Sequence, residues 1–484
     1  VVLILYQIRS GTFRGGKSMK LNKITVLFLI LSLFAVIGFA ANETEVTYLD
    51  GMLSVKSRIA SYVFDVEKGL LNEVTLTIET QNVIYRNDHD GFYTTINATE
   101  VYPSNVTVNG VAVEEMQNKT EKLQKDIEIV FDYGDFQKRV TIPYGPYYVV
   151  DLAITGIIPD GLQIAFPRVG FTTEDRVSEN GLIMTNYYEK TKGLVIWVIE
   201  DGNDAHYKID GRGNDNVVDV PYDGMSIHGY MGPAKKVTFI NKAFPNNNVW
   251  ISRVVNSYPG ASSWYDPIFY LFVGLIDWLK SWTGNYGWSI IIFTIIVRLL
   301  MYPLMHAQNK SMIDRKKLEK DPKYIKIMSI EDKQKKQEAL MKFYQENKIN
   351  PASGCLPLLI QMPIFFLLYA VIRYQSELYA FGGSFLIWQD LSVGGFVQNI
   401  WLVLIAVLVG FFNALITSSE AKMALQGVLM GALFPFMFIG LPTGLQLYWV
   451  SSQVLQFGIT YYVYKRNDVH GLTVKGFFEG IRRK

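Results

Sequence analysis

Between Trp288 and Met305 the chain reads WSIIIFTIIVRLLMYPLM. The run is long enough to cross a bilayer, for which roughly 17–25 apolar residues are needed, yet Arg298 lies inside it. At about 1.5 Å per residue, the guanidinium starts roughly 15 Å below the end marked by Trp288. A charge at that depth costs from roughly 2.5 to 10 kcal/mol or more, depending on the scale, so it faces water, a partner or a site. Any fold for this chain has to give that cation a place.

The rest of the composition narrows the field. Of 484 residues, 49% are hydrophobic, so part of the chain belongs in a membrane. The single cysteine, Cys355, excludes an internal disulfide and a Cys-rich metal site. His89, His206, His228, His306 and His470 are scattered, without metal-ligand spacing. No P-loop, GxSxG elbow or Rossmann fingerprint occurs. The chain reads as a non-enzyme with no cofactor.

Taken in order, residues 1–18 precede Met19 and form a possible upstream extension. Residues 19–41, two lysines followed by ITVLFLILSLFAVIGFA, fit either an uncleaved anchor or a secretory signal. From 42 to 263 the pattern changes to short β-type runs: EVTLTIET, DIEIVFDY, YYVVDLAITG, GLVIWVIE and KKVTFINK. Gly, Asn, Asp and Pro separate them. The reading is a large extracytoplasmic all-β domain, a two-sheet sandwich. Its 30 Asp and Glu outnumber its 19 Lys and Arg, which argues against nucleic acid as a partner of this domain.

Residues 264–282 are crowded with aromatics and interrupted by Asp266, Asp277 and Lys280. They read as an amphipathic interfacial helix; the alternative is a tilted span. The first core span follows at 283–306. Residues 307–350, with 12 Lys and Arg against 7 Asp and Glu, read as a cytoplasmic helical hairpin. Asp321–Pro322 breaks it, and Ser329 with Asp332 forms a capping box for its second helix. Further core spans are expected at 351–373, 399–418, 427–442 and 443–464, with an extracytoplasmic loop at 374–398 that has no Lys or Arg. A basic tail closes the chain at 465–484. Placing every basic segment inside puts both termini in the cytoplasm. The fold class is therefore a multi-domain membrane protein: five core helical spans plus an N-terminal anchor span, with a large β domain outside.

Polar residues recur inside the apolar runs. Thr294 and Arg298 are one helical turn apart. Gln361 lies in the second core span, and Asn413 and Thr417 share a face of the third. Ser452, Gln456 and Thr460 recur every four residues in the fifth, beside Trp449 and Gln453. These groups cannot all face hydrocarbon cheaply, which suggests a hydrated surface built by several helices. No acidic residue lies deep in another span, so Arg298 lacks an evident ion-pair partner.

TIIVRLLMYPL, NPASGCLPLLIQMPIFFLLY and FPFMFIGLPTGLQLYWVSS occur in that order, with a charged hairpin between the first two. In this the chain resembles the YidC/Oxa/Alb family of membrane protein insertases over about 264–466. The β domain resembles the family's β-supersandwich by position and size. The resemblance implies a retained N-terminal anchor. It also implies that Arg298 sits at the base of a hydrophilic groove open to cytoplasm and lipid, with Thr294 as a polar neighbour. Gln361 and Trp449 match groove or slide positions. Many relatives carry Tyr where this chain has Trp449, whose indole N–H donates but cannot accept.

The reading is an insertase that moves hydrophobic segments of nascent proteins into the inner membrane, with or without the Sec translocon. The groove and substrate residues are Arg298, Thr294, Gln361, Trp449, Ser452, Gln453, Gln456 and Asn413. A lipid-facing slide is formed by Leu358, Leu359, Ile364, Leu368, Leu429, Leu433 and Phe436. The expected partners are nascent membrane proteins, the lipid bilayer, the ribosome, the signal recognition particle pathway and the Sec translocon, with no small-molecule substrate. A channel or secondary transporter using Arg298 as an anion site is the alternative. A third reading makes the β domain a receptor or a sugar-binding module, with the spans as its anchor.

Overall fold

The computed structural model describes residues 43–77, 83–86, 91–167, 182–188, 192–199, 209–210, 216–245, 251–252, 255–256, 258, 263–319, 321–347 and 356–482. The expected extension at 1–18 and N-terminal span at 19–41 lie outside the described residues.

Alternating burial builds the β domain. Along Phe136–Ile142 every second side chain is buried, as a strand's period of two requires. The same alternation runs along Val149–Gly156. Among the described residues the domain holds three antiparallel sheets, where two were expected. One has six strands beginning with Thr44–Leu49, Met52–Lys56 and Ala60–Asp65. A second has eight, centred on Val149–Gly156 and Phe136–Ile142. A third has five, around Leu162–Phe166. Trp197 is fully buried, and a Cβ at Gly229 on the neighbouring strand would overlap its ring. Glycine is required there by space.

Lys138 occupies a core-facing position of Phe136–Ile142 and is fully buried. Its Nζ donates to Gly69 O (2.6 Å), Phe92 O (2.7 Å) and Thr94 Oγ1 (2.9 Å). Three acceptors match the three donors of an ammonium. Burial nonetheless pulls its pKa down to about 7.

KKVTFINK is not a strand. Its core is the helix Val237–Ala243 (α1), with Phe239, Ile240 and Ala243 buried on one face. Packing of that face overrides the β propensity of its Val, Thr and Ile. Lys235 and Lys236, just ahead of it, turn inward. Lys235 meets the fully buried Glu377 at 3.0 Å, and Tyr148 Oη donates to the same carboxylate at 2.7 Å. Lys236 meets Asp266 at 2.8 Å, Lys242 meets Asp277 at 2.6 Å, and Arg58 meets Asp390 at 3.0 Å. These pairs join the β domain to the helical region.

The helices follow. Asp266–Thr283 (α2) buries Phe269, Val273, Ile276 and Leu279 and leaves Trp278 and Trp282 exposed on its other side. Gly284 ends it in the left-handed conformation (φ 70°), which glycine adopts without a Cβ penalty. Asn285 then caps Tyr286–Leu300 (α3), accepting from Gly287 N and Trp288 N. The expected single span at 283–306 is broken. Tyr302–Leu318 (α4) starts after Met301, and the two helices meet at a 63° bend. Pro303 falls in the first turn of α4, where its missing N–H does no harm to the new helix but cannot continue the old one.

Within the segment 307–350, residues 307–318 belong to α4, while Pro322–Met328 (α5) and Lys333–Glu346 (α6) form a charged hairpin and bury Tyr324, Phe343 and Tyr344. Its second helix is capped by Asp332 itself, which accepts from Gln334 N and Lys335 N, rather than by Ser329. Then come Leu356–Tyr374 (α7), Ser376–Gly382 (α8), Phe396–Thr417 (α9), Ala421–Met437 (α10), Thr443–Arg466 (α11) and Val474–Arg482 (α12). Among the described residues, α9 alone is long and apolar enough to cross a membrane, or two spans if the bent α3–α4 pair counts as one. The reason is visible in the sequence. The helix α10 has 17 residues, and α11 carries the Ser and Gln repeat that lowers its hydropathy.

Two outcomes follow from the buried charges. In Glu377→Ala the carboxylate facing Lys235 is lost, and breaking such a pair from one side costs on the order of 3–5 kcal/mol. Limited proteolysis should release the β domain faster; an unchanged digestion rate would refute the pairing as a fastener. Lys138 titrates near 7 when folded and near 10.5 when exposed. The unfolded chain therefore binds more protons between those values, and stability rises with pH across that window. Thermal melts should show the rise in the parent protein and a weaker one in Lys138→Met.

Candidate functional site

Arg298 sits in the last turn of α3 and is 5% exposed. Its Nε donates to Ser452 Oγ at 2.8 Å. Nη1 donates to Gln456 Oε1 at 3.1 Å, and Nη2 to Gln361 Oε1 at 3.2 Å and to Ser452 Oγ. Met305 Sδ lies 3.7 Å from Nη1. No carboxylate pairs with it among the described residues. Four helices thus converge on one cation: α3 and α4 on either side of the bend, α7 with Gln361, and α11 with Ser452 and Gln456.

A guanidinium only donates, so it fixes the orientation of each amide around it. Gln456 turns Oε1 to Arg298, and its Nε2 then donates to Thr460 Oγ1 at 3.1 Å. Gln361 likewise turns Oε1 to Arg298 and donates from Nε2 to Ser452 Oγ at 2.8 Å. Thr460 Oγ1 continues to Asn309 Oδ1 at 3.5 Å. The four-residue repeat of α11 therefore carries a hydrogen-bonded ladder about 12 Å long, by the rise per residue.

The ladder forms one wall of a cavity of about 510 Å³. Arg298, Gln361, Gln453, Gln456, Thr460 and Asn309 contribute polar groups to its lining, as do Asn413 and Thr417 from α9. The facing wall is apolar and comes from α10: Met430, Leu433, Phe434 and Met437. Trp449 also lines it, stacked on Phe434 at 4.0 Å between ring centroids. In this chain Trp449 is an aromatic packing element of the wall.

The expected residues divide as follows. Arg298, Gln361, Trp449, Gln453, Gln456 and Asn413 line the cavity. Ser452 lies fully buried behind it, holding Arg298 and Gln361 together. Thr294 does not reach the cavity. It is fully buried and bonds back to Ile290 O at 2.6 Å. Of the slide residues, Leu429, Leu433 and Phe436 are exposed on α10 and Ile364 is half-buried on α7. Leu368 is fully buried. The outer face of α7 is instead marked by Pro363 and Phe366, so the helical phase turns Leu368 into the bundle. The side chains of Leu358 and Leu359 lie outside the described residues.

Sequence reasoning missed α4. Met305, Asn309, Ile313 and Lys316 are buried along it at helical spacing. Lys316 Nζ donates to Ile416 O (3.0 Å) and Ser418 O (3.2 Å) at the C-terminal end of α9, where a cation complements the helix dipole. The surrounding charge run concealed that stripe.

Residues 278–470 match the family model described as 60Kd inner membrane protein. The membrane protein insertase YidC of Thermotoga maritima is 37% identical over 454 residues, 93% of this chain and 97% of that protein. The YidC of Geobacter sulfurreducens is 34% identical over 193 residues, 39% of this chain and 35% of that protein. A crystal structure described as active YidC insertase with its first transmembrane domain resolved superposes with a TM-score of 0.71 at 35% identity. It covers 95% of this chain and 99% of that one. A crystal structure of YidC from Thermotoga maritima superposes at 0.60 and 29% identity, covering 86% and 99%. These matches, to a helical region that carries a β domain, define the class as an integral protein of the inner membrane. The chain belongs to the YidC family of membrane protein insertases.

Ser452→Ala removes the acceptor shared by two Arg298 donors. Leaving such donors unsatisfied costs on the order of 1–3 kcal/mol. The variant should melt lower in detergent than the parent, and Ser452→Thr, which keeps a hydroxyl, should recover part of the loss.

Proposed function

We propose that the cavity beside Arg298 is the groove through which this insertase passes the polar end of a substrate. The observation that carries this reading is a buried cation held by neutral acceptors only, at the edge of a cavity with one polar and one apolar wall. Neutral acceptors disperse a positive charge without cancelling it, so an acidic or polar segment entering from the cytoplasm meets a favourable field. The hydrophobic segment of the same substrate slides along α7 and α10, past the half-buried Ile364 and the exposed Leu429, Leu433 and Phe436.

The groove shortens the path that a charged end must travel through low dielectric. Arg298 and water solvate it in passing. Burial of the apolar segment in lipid then drives the step, and the membrane potential favours outward movement of negative charge. No nucleotide and no small-molecule substrate are required. In this reading five core spans and an N-terminal anchor cross the inner membrane. The β domain is periplasmic and both termini are cytoplasmic. The α5–α6 hairpin and the basic tail receive the ribosome, the signal recognition particle pathway or the Sec translocon.

The test is insertion into proteoliposomes, read by protease protection of a substrate's outer end. Arg298→Ala should lower insertion of acidic-tailed substrates several-fold more than that of neutral ones, and Arg298→Lys should retain much of the activity. Equal insertion of both substrate types by Arg298→Ala would refute the electrostatic role.

A further inference from the structure

The helix α12 lies in the basic tail, past the last expected span, and the receiving role proposed for that tail does not account for how it is docked. It is docked firmly. Leu472 N donates to Leu415 O at 2.8 Å. Phe477 is buried against Leu415 and Ala424, with Phe411, Ala421 and Leu472 packed around them. A Cβ at Gly480 would press on Ala421. These contacts seat α12 on the corner where α9 turns into α10.

The docked side does not use up its apolar surface. Val474, Phe478 and Ile481 are 46%, 52% and 38% exposed. At about 100° per residue these three fall on one narrow stripe. Phe477 and Gly480 fall to one side of it, and Lys475, Glu479 and Arg482 to the other. Going round the helix, the order is therefore docked face, bare apolar stripe, charged face. That arrangement suits a helix lying in a membrane interface, with its apolar edge in the acyl boundary and its charges level with the headgroups.

Two further observations select lipid as the occupant. The exposed residues Leu404, Leu408 and Phe412 of α9, and Leu425 and Leu429 of α10, belong to the helices on which α12 is seated. The bare stripe thus adjoins a surface that faces hydrocarbon if α9 and α10 cross the membrane. The local charge is basic: Lys475 and Arg482 on the helix, Lys422 at the start of α10, Lys465 and Arg466 at the end of α11, and Arg483 and Lys484 after it in the sequence. Each basic group near an anionic leaflet adds favourable energy.

We infer that α12 is a membrane-interface helix that docks the α9–α10 corner to anionic lipid at the inner surface of the bilayer. This rests on the insertase reading for the sidedness of α9 and α10. Its consequence concerns the slide. Holding that corner at a fixed depth sets the depth of Leu429, Leu433 and Phe436 along α10.

The full chain, with Cys355→Ser as background, is labelled with a nitroxide at Val474→Cys, Lys475→Cys, Phe478→Cys, Ile481→Cys or Arg482→Cys. Each variant is reconstituted in bilayers of phosphatidylcholine with phosphatidylglycerol, and collision with oxygen and with a water-soluble nickel chelate is measured. The expected result is a several-fold higher oxygen-to-nickel ratio at 474, 478 and 481 than at 475 and 482. The contrast should fall in pure phosphatidylcholine. Nickel access at 478 and 481 equal to that at 475 would overturn the inference. So would exclusion of both reagents, the signature of a protein partner, or protection that begins only when ribosomes are added. An unchanged contrast without anionic lipid would remove the role of charge. Insertion by the same preparations is scored separately, so an immersed α12 in a protein that inserts nothing would sink the insertase reading and leave the lipid contact standing.

Discussion

The structure holds its cations in two ways, against carboxylates or against neutral acceptors, and Arg298 is of the second kind, as Lys138 is in the β domain. Where the β domain meets the helices, cations face carboxylates: Lys235 with Glu377, Lys236 with Asp266, Lys242 with Asp277, Arg58 with Asp390. Such pairs close their charge and act as fasteners. Arg298 instead meets a serine hydroxyl and two amide oxygens. Its hydrogen-bonding needs are met while its charge remains. A carboxylate at Gln361 or Gln456 would hold the arginine as well and abolish the field. The neutrality of the ring of acceptors is therefore the constraint on which the arrangement of α3, α7 and α11 depends.

That constraint propagates outward. Because the guanidinium donates only, each glutamine beside it is turned with its oxygen inward and its nitrogen passing a donor onward. The helix α11 must then present polar side chains at every fourth position, which lowers its hydropathy below that of a free-standing span. It is kept in place by packing against α3 and α9 rather than by its own apolar surface. The aromatic stack of Trp449 on Phe434 ties its other edge to α10. A polar wall and an apolar wall on the same cavity are two sides of one solution.

How much of this could be read from the chain depended on whether the signal was local. Arg298 in an apolar run and the repeat of Ser452, Gln456 and Thr460 are local, and they pointed to the same cluster that the structure assembles. The strands with alternating apolar residues were equally plain. KKVTFINK misled because β-branched residues outweighed the helical spacing of Phe239, Ile240 and Ala243. Leu368 misled because a leucine in an apolar helix carries no mark of which side faces the bundle; only tertiary phase decides it. Asn309 was hidden by its neighbours, since Lys310, Arg315, Lys316 and Lys317 make the segment look solvated. The spacing of Met305, Asn309, Ile313 and Lys316 held the missing information.

The helix α4 also changes how the hairpin relates to the cavity. The bend after Met301 sends the chain off the axis of α3, so that one helix both lines the cavity and leads to α5 and α6. Asn309 joins the polar ladder, Ile313 packs on Val463 and Tyr464, and Lys316 holds the end of α9. The helix that precedes the hairpin therefore touches the cavity lining through Asn309 and the end of α9 through Lys316. With a flexible linker after Arg298, the hairpin would move freely and the cavity would feel nothing. With the helix as it stands, any displacement that reaches α4 acts on Asn309 and on the end of α9.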